Sequence, residues 1–167
     1  MKANAIHPAV RVGHVHLRVS DLDRAIGFYR DALGLGVTAD GREAGLDAAF
    51  LAAGDYHHHV GLNTWESAGG TPPPPGHTGL YHVAFVYPDR SELGHAVRRL
   101  LDHGWPVDHA TDHGGTVSVY LSDPDGNGVE LYYDRPRSDW FDAHGRPVLK
   151  NDHFDPRELL LPEGQMG

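Results

Sequence analysis

The chain has 167 residues, a formal charge of −9 and no cysteine. That length suits one domain with a substantial core, and the acidic balance without a basic stripe excludes nucleic acid as the main partner. The missing cysteine excludes disulfides, thiolate metal sites and a thiol nucleophile.

With 40% hydrophobic and 22% charged residues the chain is expected to fold. No apolar run approaches the roughly 18 residues of a membrane span, and the opening MKANAIHPAVRVGH lacks the apolar stretch of a signal peptide. A cytoplasmic protein with no membrane partner is therefore expected. Histidine stands out at fourteen copies, and position must decide which of them matter.

In chain order, residues 14–19 alternate, with Val15, Leu17 and Val19 on one face and His14, His16 and Arg18 on the other. Period two predicts a half-buried strand. Ser20 and Asp23 have capping-box-like spacing, and Leu22, Ala25, Ile26, Tyr29, Ala32 and Leu33 form the stripe of a helix that Gly34 stops. Short strands are predicted over 35–38, 46–51 and 56–64. The segment AGGTPPPPGHTG (68–79) cannot continue regular structure.

The pattern then begins again, displaced by 68 residues. GHVHLRVSDLDRAIGFYRDALGLG (13–36) overlies YHVAFVYPDRSELGHAVRRLLDHG (81–104), matching His14 with His82, Val15 with Val83, Asp21 with Asp89 and Gly36 with Gly104. The second helix has Asp89 as N-cap, a stripe of Leu93, Ala96, Val97, Leu100 and Leu101, and a stop at Gly104. Strands follow over 105–110, 116–122 and 128–134. Past about residue 136 the pattern fades into a polar tail with room for a short helix.

The expected fold is α+β, with two paired βαβββ modules forming a curved mixed sheet around a metal-binding cavity, helices outside. A single domain would span 10–137, with modules at 10–66 and 79–135 joined by a linker at 67–78, and a C-terminal tail at 138–167.

On each opening strand the apolar face must meet a helix, which turns His14 and His82 the other way. Glu130 lies between Val129 and Leu131 and so shares the polar face. Two histidines and one carboxylate are the donor set of the facial triad of non-haem Fe(II) enzymes. The matching place in the first half falls near Val60, Gly61 and Leu62, none of which ligates a metal. An open three-ligand site is therefore expected. DPDGNG (123–128) imitates the start of a calcium loop, but Pro124 and the strand-like VELYY that follows favour a turn between antiparallel strands.

GHVHLRVSDLDRAIGFYRDALGL, YHHHVGLNTWESAGGTPPP, GLYHVAFVYPDR and LSDPDGNGVELYYDRP together resemble the vicinal-oxygen-chelate (glyoxalase/bleomycin resistance/dioxygenase) superfamily, in its catechol 2,3-dioxygenase-like extradiol branch. The resemblance implies His14, His82 and Glu130 as metal ligands and Fe(II) as cofactor, with Mn, Ni or Zn as ions that could replace it on isolation. It implies His58 as acid/base, with His57 and His59 as rivals one residue away, and Tyr120 as partner of an oxygen intermediate. His113 is the candidate for a further His before that Tyr, at a spacing two residues shorter than the family's. The implied partners are a small aromatic diol and O2, and the implied reaction opens the ring beside the hydroxyls. Alternatives on the same fold are a glyoxalase, lyase or thiol-transferase type of metalloenzyme, or a metal-free protein that binds an aromatic antibiotic. The sequence leaves a homodimer or higher homo-oligomer open.

Overall fold

The computed structural model describes residues 5–162. Strand β1 (Val15–Arg18) leads into helix α1 (Leu22–Gly27), which widens into a π turn over Phe28–Ala32. Strands β2 (Gly36–Asp40), β3 (Ala48–Ala52) and β4 (Val60–Asn63) complete the first module. After the Pro/Gly linker come β5 (Val83–Tyr87), α2 (Arg90–Asp102), β6 (His109–Gly114), β7 (Thr116–Ser122) and β8 (Gly128–Asp134). The tail adds β9 (Leu149–Phe154) and a 3-10 turn over Pro156–Leu160.

The α+β class and the repeated βαβββ module are as the sequence predicts. Each first strand pairs in parallel with the last strand of its module, β1 with β4 and β5 with β8, and the remaining pairs are antiparallel. The strands divide between two sheets, ordered β1-β4-β3-β2 and β5-β8-β7-β6-β9. β9 lies against β6, so part of the tail belongs to the second sheet.

Local chemistry sets the boundaries. Asp89 caps α2 by accepting the Glu92 N–H, and Gly104 takes a left-handed φ of 66° after its end. At α1 the cap is Asp21, which accepts from Arg24 N, while the Ser20 hydroxyl turns away to Asp125. The turn 123–128 closes on itself, with Asp123 Oδ1 accepting from the backbone of Asp125 and Asn127.

One core unites both modules. Leu17, Leu51, Val60 and Leu62 of the first sheet, Val19 just after β1, the stripes of α1 and α2, and Val117, Val119, Leu121, Val129 and Leu131 of the second sheet form a single buried cluster. The helical sides of the modules touch directly: the Phe28 ring lies 4.7 Å from Trp105, and Arg99 Nη1 donates to the Leu33 carbonyl at 3.1 Å. The polar faces of both sheets turn away from that common core. Among the described residues no helix is long and apolar enough to cross a membrane.

Candidate metal centre

Glu130 lies mid-strand in β8 between the fully buried Val129 and Leu131, so alternation turns its carboxylate away from the core. Parallel pairing sets it beside Ala84 of β5, and His82 reaches it from just before that strand, with Nε2 3.1 Å from Glu130 Oε2. Gly128 permits this approach, because a side chain there would collide with the Tyr81 carbonyl and press on His82. Antiparallel pairing with β7 sets Tyr120 opposite Glu130, and the Tyr120 hydroxyl donates to Oε1 at 2.8 Å.

His113 extends the contact. Its Nε2 lies 2.9 Å from the Tyr120 hydroxyl and its Nδ1 3.1 Å from the Lys150 carbonyl oxygen on β9. A carbonyl only accepts, so Nδ1 carries a proton. Burial first, and then the bond to Glu130, push the Tyr120 pKa up to about 12. The hydroxyl therefore stays protonated at neutral pH and serves as a donor. His109, directly across from Tyr120 in the β6–β7 register, stacks on its ring at 4.6 Å.

His14 belongs to a second group. It enters β1 beside His58, the two rings 4.5 Å apart, and the far side of His58 meets Phe50 at 5.0 Å. Of the three consecutive histidines, His58 is the one brought to His14. His57 shares a 2.8 Å contact with His58 through Nδ1 atoms, while His59 turns to the Tyr56 ring. Burial, followed by the neighbouring His14 and His57 imidazoles, lowers the His58 pKa and so favours the neutral ring.

The register also identifies the first-module counterpart of Glu130. Ala84 faces Glu130 across β5–β8, and its repeat-mate His16 faces Gly61 across β1–β4. A Cβ on Gly61 would stand 3.0 Å from His16 Nδ1, so no carboxylate fits there without displacing that ring. His16 is held in place by Asn63, whose Nδ2 lies 2.9 Å from Nε2.

Two donor atoms bound to one first-row ion at about 2.1 Å each and near a right angle stand roughly 3 Å apart. His82 Nε2 and Glu130 Oε2 already have that spacing. His14 does not join them: among the described residues, no three His, Asp or Glu side chains converge closely enough to hold a metal ion. Within one chain the donors suit a divalent ion in chemical type and at two of three positions, but not at all three.

Comparison with known proteins adds the lineage. The family model described as the glyoxalase/bleomycin resistance protein/dioxygenase superfamily matches residues 11–131. The chain belongs to that superfamily. Among relatives in the superfamily, a catechol-2,3-dioxygenase of Bacillus subtilis is 38% identical over 96% of this chain and 54% of its own length. A biphenyl-2,3-diol 1,2-dioxygenase of Rhodococcus globerulus is 33% identical over 74% of this chain and 63% of its own. A lactoylglutathione lyase of Haemophilus influenzae is 30% identical over 73% of this chain and 91% of its own. The chain thus spans about half to two-thirds of these dioxygenases and nearly all of the lyase. A solved glyoxalase/dioxygenase from Nostoc punctiforme shares the superfamily fold at a TM-score of 0.64 and 24% identity, covering 80% of this chain and 98% of that one.

The sequence reading missed His109, Phe50 and the Lys150 carbonyl. His109 and Phe50 carried no signal until strand pairing set their neighbours. The Lys150 contact depends on β9, in a stretch where no apolar alternation marks a strand.

Proposed function

We propose that this chain is an Fe(II)-dependent extradiol dioxygenase that opens a catechol-type ring beside its two hydroxyls. The observation that carries the reading is the hydrogen-bonded chain from Glu130 through Tyr120 to His113, ending on the Lys150 carbonyl. A ring-opening reaction of a diol must take up and return protons at oxygen, and this chain supplies a phenol and an imidazole beside the carboxylate for that task. The resemblance to two relatives named as diol dioxygenases supports the same reading.

His14, His82 and Glu130 would hold the ion, and Fe(II) would supply the activation of O2 beside a diol bound through both oxygens. Everything else falls to side chains. His58, against His14 and with its neutral form favoured, takes the proton of a diol hydroxyl. Tyr120 would turn its one hydroxyl proton from Glu130 to a reacting oxygen, with His113 against the same hydroxyl. His109 keeps the Tyr120 ring from swinging aside.

The lyase relative favours a second reading, a glyoxalase-type isomerase or lyase. Gly61 argues for the first, because the counterpart of Glu130 cannot supply a fourth ligand and the coordination stays open for a two-oxygen substrate and O2.

The test is anaerobic loading with Fe(II), addition of a panel of catechols including biphenyl-2,3-diol, then admission of O2. Uptake of one O2 per yellow semialdehyde product is expected. Tyr120→Phe and His58→Gln should each lower turnover by about 10²–10⁴-fold, the range for a general acid or base. No O2 uptake across the panel, with turnover of a glutathione hemithioacetal instead, would overturn the dioxygenase reading.

A further inference from the structure

His58 stands at the edge of a cavity of about 510 Å3, whose lining includes Ala39, Phe50, Asp55, Tyr56 and His57. That volume falls within the roughly 300–1,000 Å3 of small-molecule sites. The proposed reaction uses only its edge. His58 meets His14 at 4.5 Å, and Phe50 lies on the other side of the His58 ring at 5.0 Å. A group extending from His14 past His58 therefore comes upon Phe50.

Strand pairing makes the space. Ala39 of β2 is the direct partner of Phe50 of β3, so their side chains share a face, and a methyl group there leaves the Phe50 ring uncovered. The β2–β3 register shifts between Val37 and Ala39, a bulge that bends the strand at Thr38. The Thr38 hydroxyl donates to the His57 carbonyl oxygen at 2.7 Å, which moors the segment carrying Tyr56 to the strand. Tyr56 is fixed in turn by its ring contacts with His57 at 4.2 Å and His59 at 4.6 Å. Phe50 and Tyr56 thus give the cavity two aromatic surfaces. Among the described residues its lining holds no lysine or arginine, and its carboxylate is Asp55. An anionic group entering it would lose hydration and meet no cation in exchange.

We propose that this cavity is a specificity subsite that takes an uncharged aryl arm of the diol against Phe50 and Tyr56 and rejects an arm ending in a carboxylate. Ala39 sets its depth, because any larger side chain at that position lies over Phe50. The proposal rests on the dioxygenase reading in one respect: His58 must be the group that takes the diol proton, which brings the diol to the cavity.

The first measurement involves no chemistry. 2-Phenylphenol, which has the aryl arm but lacks the second hydroxyl, is titrated into the wild type and into Ala39→Phe and followed by NMR. The Ala39 methyl and the Phe50 and Tyr56 ring signals of the wild type should shift and saturate. In Ala39→Phe the dissociation constant read at Tyr56 should rise by about 10–200-fold, the range for a small change in a hydrophobic pocket. Ala39 is exposed, so the variant should fold, and Ala39→Leu replaces it if its thermal melt is not cooperative. The second measurement compares biphenyl-2,3-diol with the same diol carrying a carboxylate on its outer ring, using Fe(II)-loaded enzyme. The neutral diol should have the higher kcat/KM by about tenfold or more. Shifts that spare these three residues, equal affinity in Ala39→Phe, or equal turnover of the carboxylated diol would each overturn the subsite. Saturable shifts at the cavity without O2 uptake on any diol would leave the aryl subsite standing and reject only the dioxygenase reading.

Discussion

Asp123 answers several backbone and side-chain donors with one buried carboxylate. Oδ1 accepts the N–H groups of Asp125 and Asn127, and Oδ2 accepts the Tyr29 hydroxyl at 3.0 Å and the Asn127 amide at 2.9 Å. The Tyr29 bond ties the first module's helical segment to the β7–β8 turn of the second. Burial first, then the Asp123 charge, raise the Tyr29 pKa well above its usual value. Tyr29→Phe should cost about 1–3 kcal/mol, the scale of a buried hydrogen bond to a charged group. The sign of the pH effect follows from the raised folded value: the stability from protonated Tyr29 is complete below the unfolded pKa of about 10 and is lost as pH rises above it. Melting temperatures from about pH 8 to about pH 11 should therefore show the gap between wild type and Tyr29→Phe narrowing at the alkaline end. A gap that widens would remove Tyr29 as its source.

Among elements, the tail does the least expected work. β9 pairs with β6 and offers the Lys150 carbonyl to His113, and the turn Pro156–Leu160 buries Leu159 against α2. Arg90 of α2 clasps that turn by donating to the carbonyls of Leu161 and Glu158. Gly94 lets it come close: a Cβ there would stand 2.6 Å from the Leu159 carbonyl oxygen. Gly94→Ala, though favourable for an isolated helix, should lower stability by about 1–3 kcal/mol because backbone, not a flexible side-chain end, occupies the space. Ending the chain after Pro136 should have a different signature. It should lower the melting temperature and also free the His113 ring, read as a change in its imidazole NMR shifts. A truncated chain with unchanged His113 resonances would show that β9 does not orient the ring.

For the whole molecule, contacts across the module boundary set the stability. Phe28 is 3% exposed and its ring lies 4.7 Å from Trp105 of the second module. Phe28→Ala should lower stability by about 3–5 kcal/mol, the scale for deleting a buried aromatic side chain. Urea unfolding checks this, and a variant as stable as the wild type would show that the boundary contact does not hold the modules together.

Alternation and helical stripes were enough to determine the two modules, their α+β class and the faces on which His14, His82 and Glu130 lie, because each depends on periodicities of two and 3.6 residues along the local chain. The repeat matched those histidines, and the apolar run at 60–62 told of a missing carboxylate. Other facts waited on contacts distant in sequence. The β1–β4 register singled out Gly61, irregular backbone ahead of β4 chose His58 over its neighbours, and pairing across β6, β7 and β9 put His109 and Lys150 beside Tyr120 and His113. Above all, only the tertiary structure decided which side of each module faces the other. A helical stripe demands burial but not a particular partner, and here Phe28 meets Trp105 and Tyr29 meets Asp123 of the other module, so that one core serves both.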